Sequence, residues 1–457
     1  MIEVDYLVIG AGATGMAFAD VILTESDATV ALVDRYGRPG GHWNRAYPFV
    51  RLHQPSAFYG VNSRVLGSGR KDTIGGNAGL FELASGAEVL AYFDQVLHQQ
   101  FLPTGRLEYL PMCEYSQPDV VSLMSGVRQQ VRAKKIVDAT YSRVNVPSMG
   151  SPGYGVAAQM RCVPPNALPT TDRAASGYVV IGAGKTGIDA CLWLLGMGVD
   201  PDDIRWIVPR DSWLLDRTTI QPGGDFFSPT VGGYAAQLES SALARSIDEL
   251  FERLERTGQL LRLDPDVRPT RYRCATVTVA ELERLRRITG IVRMGRVRSI
   301  GTDTITLDAG AIGTSADVLH IDCTADGLER RPPVPVFDGD RITLQSVRTC
   351  QQVLSAAIIG HVETAYTEEA EQNALCTVIP HPDSDIDWLR TTLANTVNVV
   401  RWGRDAGMAS WLANARLNIQ IGIDGTPTPE QMATLVKVGR HMTRAIKNLE
   451  RLLAQTV

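Results

Sequence analysis

The chain has 457 residues, with 44% hydrophobic and 21% charged residues, the balance of a water-soluble globular protein with room for about two or three domains of roughly 150 residues each. A formal net charge of −5 offers no polybasic surface for nucleic acid or an anionic membrane. No apolar stretch reaches the about 18–20 residues of an integral membrane segment, and the apolar N-terminal run lacks the basic flank and cleavage site of a signal peptide.

Residues 4–35, "VDYLVIGAGATGMAFADVILTESDATVALVDR", read as a βαβ unit. Tyr6–Ile9 is the first strand, Ala17–Thr24 the helix, and "TVALVD" the second strand. Gly10, Gly12 and Gly15 form G-x-G-x-x-G, with Ala13 and Thr14 inside it. Gly10 suits the tight turn, Gly12 lets backbone approach a pyrophosphate, and Gly15 permits close helix–strand packing. The helix N-terminus adds N–H donors and a positive dipole end. Asp34, followed by Arg35, lies where a carboxylate accepts from ribose hydroxyls.

The next segment, "GGHWNRAYPFVRLHQP", is too aromatic for an ordinary loop and too irregular for a core strand. "GRLEYLPMCEYSQPDVVSLMSGVRQQVRAKKIVDAT" follows later and alternates like strands broken by turns. The βαβ pattern then recurs. Tyr178–Ile181 is a strand, Gly182, Gly184 and Gly187 form the turn with Lys185 and Thr186 inside it, and "RWIVPR" is the following strand. This second unit ends in Arg210 rather than an acid. A guanidinium pairs with a 2′-phosphate that a carboxylate repels, so the site reads as preferring NADPH over NADH; a surface arginine at a strand end is the alternative. Two dinucleotide sites about 170 residues apart predict an α/β architecture of two Rossmann-like domains, the nicotinamide domain inserted in a flavin domain. The expected boundaries are 1–168 for the first part of the FAD domain, 169–330 for the NADPH domain, and 331–457 for the completion of the FAD domain with C-terminal helices.

These motifs resemble those of the class B flavin-dependent monooxygenases, the group of flavin-containing, Baeyer–Villiger and YUCCA-type enzymes. Gly40–Trp43 is similar to their Gly-Gly-x-Trp motif, which implies that Gly41, His42 and Trp43 lie along FAD. Tyr47–Phe58 is similar to the YUCCA-type pattern of Tyr, Leu-His-x-Pro and Phe, which implies that His53 and Gln54 stand at the reactive face of the flavin as catalytic donors; a residue tying the loop to backbone is the alternative for His53. Ile136–Tyr141 and His320–Leu328 look like Ala-Thr-Gly motifs, with Thr140 and Thr324 as the matching residues. The resemblance implies an FAD- and NADPH-dependent monooxygenase that forms a flavin C4a-hydroperoxide from O2 and oxygenates a small organic substrate. The family fingerprint F-x-G-x-x-x-H is replaced by "GSPGYGVAAQMRCVPPNALP", where Tyr154 and Gly155 stand for Phe and Gly and the His is missing. That departure keeps two alternatives open: a dehydrogenase or reductase without oxygen transfer, and a non-catalytic NADPH-sensing flavoprotein.

The seven cysteines are scattered, odd in number and without a CxxC pair. They read as reduced, structural thiols of a cytoplasmic protein, with no metal site and no thiol–disulfide exchange. Asp211–Phe227 reads as a connecting loop or part of a substrate mouth. Residues 235–261 have helical period with a Gly stop. "SVRTCQQVLSAAIIGHVETAY" reads as a core strand, or as a strand and turn that bring Gly360 and His361 near the cofactor. Thr428 and Gln431 mark a capping box opening a last helix to about Gln455, whose Lys437, Arg440, Arg444, Lys447 and Arg451 read as a solvated face, with a partner or membrane surface as the alternative. A homodimer is compatible with all of this.

Overall fold

The computed structural model describes residues 1–419 and 426–456. Its larger sheet is centred on Ile2–Ile9, flanked in parallel by Val30–Val33 and Arg128–Asp138. Leu107–Leu110 extends one side and Arg341–Thr343 the other, both parallel. Phe337–Asp338 closes the edge antiparallel. A hairpin of Cys113–Ser116 and Asp119–Ser122 joins the start of Arg128–Asp138. The second sheet is wholly parallel, in the order Gly290–Val292, Ile204–Ile207, Gly177–Ile181, Val318–Asp322, Arg161–Val163. All its strands lie in sequence between two strands of the first sheet, Arg128–Asp138 and Arg341–Thr343. One α/β unit is thus inserted in another, as the paired turns predict.

The first helix, Ala13–Glu25, is buried continuously from Gly15 to Leu23. It lies between the larger sheet and the helix Gln352–Ala365, itself buried from Val353 to Gly360. This second helix corrects the expected strand and turn. "VLSAAII" is apolar on every side, so it carries no period by which a buried helix differs from a buried strand. Gly360 lets the two helices approach: a Cβ there would stand 3.1 Å from Val21 Cβ. His361 does not reach a cofactor site. Its Nδ1 lies 2.7 Å from Glu25 Oε2, and its ring stacks on Trp411 at 4.6 Å.

Three further expectations change. Residues 235–261 form two helices, Gly233–Leu243 and Ile247–Arg256, because Ala244 turns extended and Ser246 caps the second by accepting from Glu249 N. Asp211–Phe227 is not a simple loop, since Ser212–Asp216 pairs in parallel with Arg271–Val277. The last helix, Pro429–Leu453, has the expected capping box at Thr428 and Gln431, but its basic face is only partly solvated. Lys437 bonds Glu239 at 2.6 Å, and Arg451 donates to the Ala244 and Arg245 carbonyls, while Arg440, Arg444 and Lys447 are exposed.

The cysteines also need correcting. Cys274 and Cys350 form a disulfide across 76 residues of sequence, so they are not reduced thiols as expected. The spacing rules that read cysteines from sequence do not see a pair made only by the fold.

Both Gly-rich turns are built the same way. A Cβ at Gly15 would stand 1.9 Å from Gly10 O, and one at Gly187 would stand 2.0 Å from Gly182 O. No carbon survives at that distance from an oxygen, so the backbone would have to part. Gly15→Ala is expected to cost about 1–3 kcal/mol or more, as overpacked interiors do. Urea unfolding checks this, and an unchanged midpoint would contradict the close approach.

Candidate functional site

One cavity of about 1750 Å³ runs between the two units. A single drug-sized ligand fills about 300–1,000 Å³, so there is space for more than one such group. The cavity is bordered by Gly10, Gly12, Ala13, Thr14, Asp34, Arg35, Gly41, His42, Trp43, His53, Gln54 and Thr140 from the larger unit. Gly182, Gly184, Lys185, Thr186, Arg210 and Thr324 border it from the inserted one. Of the predicted site residues, only Gly15 and Gly187 stay out of it, packed beneath their turns.

The helices Ala13–Glu25 and Lys185–Gly196 begin at Gly12 and Gly184, with no side-chain cap and no acid in the first turn. Their leading N–H groups are therefore left for an anion, and the dipole favours one. Asp34, at the end of the second strand, accepts from Ala11 N at 2.6 Å and Tyr36 N at 2.7 Å. It ties the strand end to the turn while it faces the cavity. Burial raises its pKa, against the two N–H bonds that lower it.

The segment from Gly40 to Phe58 is laid over the first turn. Gly40 N donates to Ala11 O at 2.8 Å, and a Cβ on Gly41 would meet Gly12 Cα at 2.9 Å. Trp43 is buried and donates through Nε1 to the Tyr59 hydroxyl at 2.7 Å. His42 packs on it with ring centroids 5.3 Å apart. The same segment reaches the inserted unit: Tyr47 donates to Asp189 Oδ2 at 2.6 Å, and Phe49 stacks on Trp193 at 5.2 Å. Lys185 pairs with that same Asp189, so much of the charge expected at the second turn is already engaged. His53 is anchored through its carbonyl, which accepts from Arg217 Nε at 2.9 Å. Its ring Nδ1 is buried with no partner. Burial first, then Lys185 and Arg217, hold its pKa well below the usual value.

Thr140 and Thr324 are placed alike. Each donates through Oγ1 to the aspartate two residues back, Asp138 at 2.7 Å and Asp322 at 2.5 Å. Those aspartates sit beside Ile9 and Ile181, the last residues before the Gly-rich turns. The repeated D-x-T in "VDATY" and "IDCTA" is the signal that could have added Asp138, which borders the cavity, and Asp322, which holds Thr324 from behind it.

Arg210 meets an acid that sequence reasoning missed. Its guanidinium lies 2.9 Å from Asp383 Oδ2, and Arg271, Arg273 and Arg330 approach the same carboxylate at 3.0, 2.8 and 3.2 Å. Burial opposes the charge on Asp383, but Arg210, Arg271 and Arg273 outweigh it and hold its pKa well below the usual range. Arg210, Arg271, Arg273 and Arg330 all border the cavity. One carboxylate shared by four guanidiniums leaves a surplus of positive charge there, even with Asp326 near Arg273 at 3.5 Å. Among the described residues no group of His, Cys, Asp and Glu is arranged to hold a metal, and no helix is long and apolar enough to cross a membrane.

No family model matches the chain. Among solved structures of similar fold is an open form of cyclohexanone monooxygenase, with a TM-score of 0.50 at 15% identity over 91% of this chain and 99% of that one. Another is OTEMO in complex with FAD and NADP, with a TM-score of 0.50 at 14% identity over 96% and 98% of the two chains. A cyclohexanone monooxygenase mutant of Rhodococcus sp. Phi1 bound to NADP+ also has a TM-score of 0.50, at 15% identity over 82% and 87%. Uncharacterized proteins of Mycobacterium tuberculosis and Mycobacterium bovis are each 56% identical to it over 422 residues, 92% of this chain and 78% of theirs. The chain belongs to the family of these mycobacterial proteins, and it is built on the fold of the class B flavin monooxygenases.

Proposed function

We propose that the protein is an FAD- and NADPH-dependent oxidoreductase that uses O2 to oxygenate a small organic substrate. The observation that carries this reading is the shared cavity. Two Gly-rich turns border it, and so does a buried, neutral His53 with an unpartnered ring nitrogen. The fold it shares with OTEMO, solved with FAD and NADP, supports the same reading. When bound, FAD and NADPH supply hydride transfer and the reaction with O2.

The chain's own residues then bind, orient and shield. The free N–H groups after Gly12 and Gly184 receive pyrophosphates. Asp34 has lone pairs to spare for a ribose hydroxyl beyond its two backbone bonds. Trp43, locked to Tyr59, covers one side of the cavity and keeps water from it. A neutral imidazole carries one N–H and one lone pair, so His53 holds a proton at one ring nitrogen and accepts at the other. Gln54 adds an amide beside it. The surplus charge around Asp383 suits the 2′-phosphate of NADPH, with Arg210 as the residue that exchanges its carboxylate for phosphate.

Two measurements test this, and a third tests the histidines that border the cavity. In stopped flow, NADPH should reduce the bound flavin, and mixing with O2 should give oxygenated product from a panel of amines, sulfides and ketones. Hydrogen peroxide equal to the NADPH consumed, with every substrate, would leave only the hydride-transferring alternative. Arg210→Ala should raise KM for NADPH about tenfold or more, the loss of roughly 1.5–3 kcal/mol for a charged hydrogen bond, while NADH use changes little. An unchanged NADPH/NADH ratio rejects that assignment.

The third concerns acid. Burial lowers the pKa of His42 to about 4. Burial, then Arg273, lowers that of His381 to about 4 as well, and His53 is also lowered. The unfolded chain binds protons at about 6.5, so between pH 6.5 and about 4 it holds more than the folded one. Stability is therefore full above about pH 6.5 and falls as pH drops through that window, by up to about 1.4 kcal/mol per pH unit for each histidine. The urea midpoint should be lower at pH 5 than at pH 7, and His42→Phe should reduce the difference.

A further inference from the structure

Cys274 and Cys350 both border the cavity and are half-buried rather than sealed in the core. Cys274 lies in the strand Arg271–Val277, and Cys350 stands two residues before the helix Gln352–Ala365. The strand's position relative to His53 is fixed by one guanidinium. Arg217 donates to the His53 carbonyl at 2.9 Å and to the Thr276 carbonyl at 3.4 Å, and the Thr276 hydroxyl donates to the Cys274 carbonyl at 3.1 Å. The disulfide-bearing strand therefore runs beside the loop placed at the reactive face.

Two independent features mark the pair. Three non-glycine residues have positive φ among the described residues, and two of them are Cys274 at 56° and Cys350 at 58°. Left-handed backbone at such residues is costly and gathers at functional sites. The Tyr272 hydroxyl, on a buried ring, lies 3.6 Å from Cys274 Sγ and 4.0 Å from Cys350 Sγ. A hydroxyl there can make a weak hydrogen bond to either sulfur. Arg273 directly precedes Cys274, Arg271 lies three residues before it, and both border the same cavity; positive surroundings of that kind stabilise a thiolate.

We propose that the Cys274–Cys350 disulfide is a second redox group of the cavity, reduced by a reduced nicotinamide dinucleotide by way of the bound flavin. This rests on the reading that both dinucleotides bind in the cavity. The S–S bond breaks and two S–H bonds form. The nicotinamide is oxidised and gives up a hydride, which is two electrons and one proton. The second proton comes from solvent, which reaches the half-buried sulfurs from the cavity they border. The resulting dithiol releases the covalent link between the inserted unit and the turn before Gln352.

The test is thiol counting on the FAD-loaded protein, kept anaerobic and quenched in denaturant with iodoacetamide for mass analysis. Before NADPH, five of the seven cysteines should be labelled; after NADPH, Cys274 and Cys350 should be labelled too. Full bleaching of the flavin should take about twice the NADPH per flavin that it takes in the C274S/C350S variant, because a disulfide stores two electrons. Labelling of all seven cysteines before NADPH, or a bleached flavin with Cys274 and Cys350 still unlabelled, overturns the proposal. The wild-type labelling stands without the variant, should that fail to fold. A flavin that NADPH does not bleach overturns the functional reading instead. Photoreduction of the flavin then still decides the disulfide: labelling of both cysteines supports it, and none overturns it.

Discussion

The approach of Gly15 to Gly10 O, and of Gly187 to Gly182 O, is the constraint on which both halves of the molecule rest. Each brings a helix start to the end of its central strand, Ile2–Ile9 or Gly177–Ile181. That contact aims the first-turn N–H groups into the cavity rather than across the sheet. The aspartates beside those strand ends, Asp138 and Asp322, then fix Thr140 and Thr324 at matching places. The two turns, built alike, thus border one cavity. Substitutions at its rim change what it holds; substitutions beneath the turns change whether it exists.

The electrostatics of the rim follow a different logic. Arg210, Arg271, Arg273 and Arg330 converge from three stretches of the chain on an aspartate from a fourth. Four like charges at this spacing repel one another, and one carboxylate offsets only part of that cost. Such a cluster is more favourable once it receives an anion. Lys185 has the opposite character. Its pairing with Asp189, shared with Tyr47, leaves backbone dipoles as the main attraction of the second Gly-rich turn for any anion.

The parts of this design that were legible in the sequence are the local ones. A Gly-rich turn, the strand before it and the acid or arginine after it lie within about 35 residues, and the Gly-Gly-x-Trp segment follows at once. Gln352–Ala365 is illegible as a helix for a physical reason: a helix buried on all faces loses the period that distinguishes it. The Asp383 cluster and the Cys274–Cys350 pair could not be read, because neither partner marks the other in sequence. Arg210 is the intermediate case. Its strand-end position was evident, but its partner comes from a segment 173 residues later. Among cysteines, absence of CxxC excludes one motif only; it says nothing of pairs that topology assembles.

The segment over the first turn has one more consequence. Tyr47 and Phe49 reach across to Asp189 and Trp193, so the two units are stitched along one side of the cavity. A second tie lies on the arginine side, where the Cys274–Cys350 disulfide and the guanidiniums on Asp383 join the inserted unit to the C-terminal stretch. A rotation about the Tyr47 seam is therefore held shut, as a clasp holds a book. The covalent part of that clasp is the disulfide, so its redox state bears on how far the cavity can open.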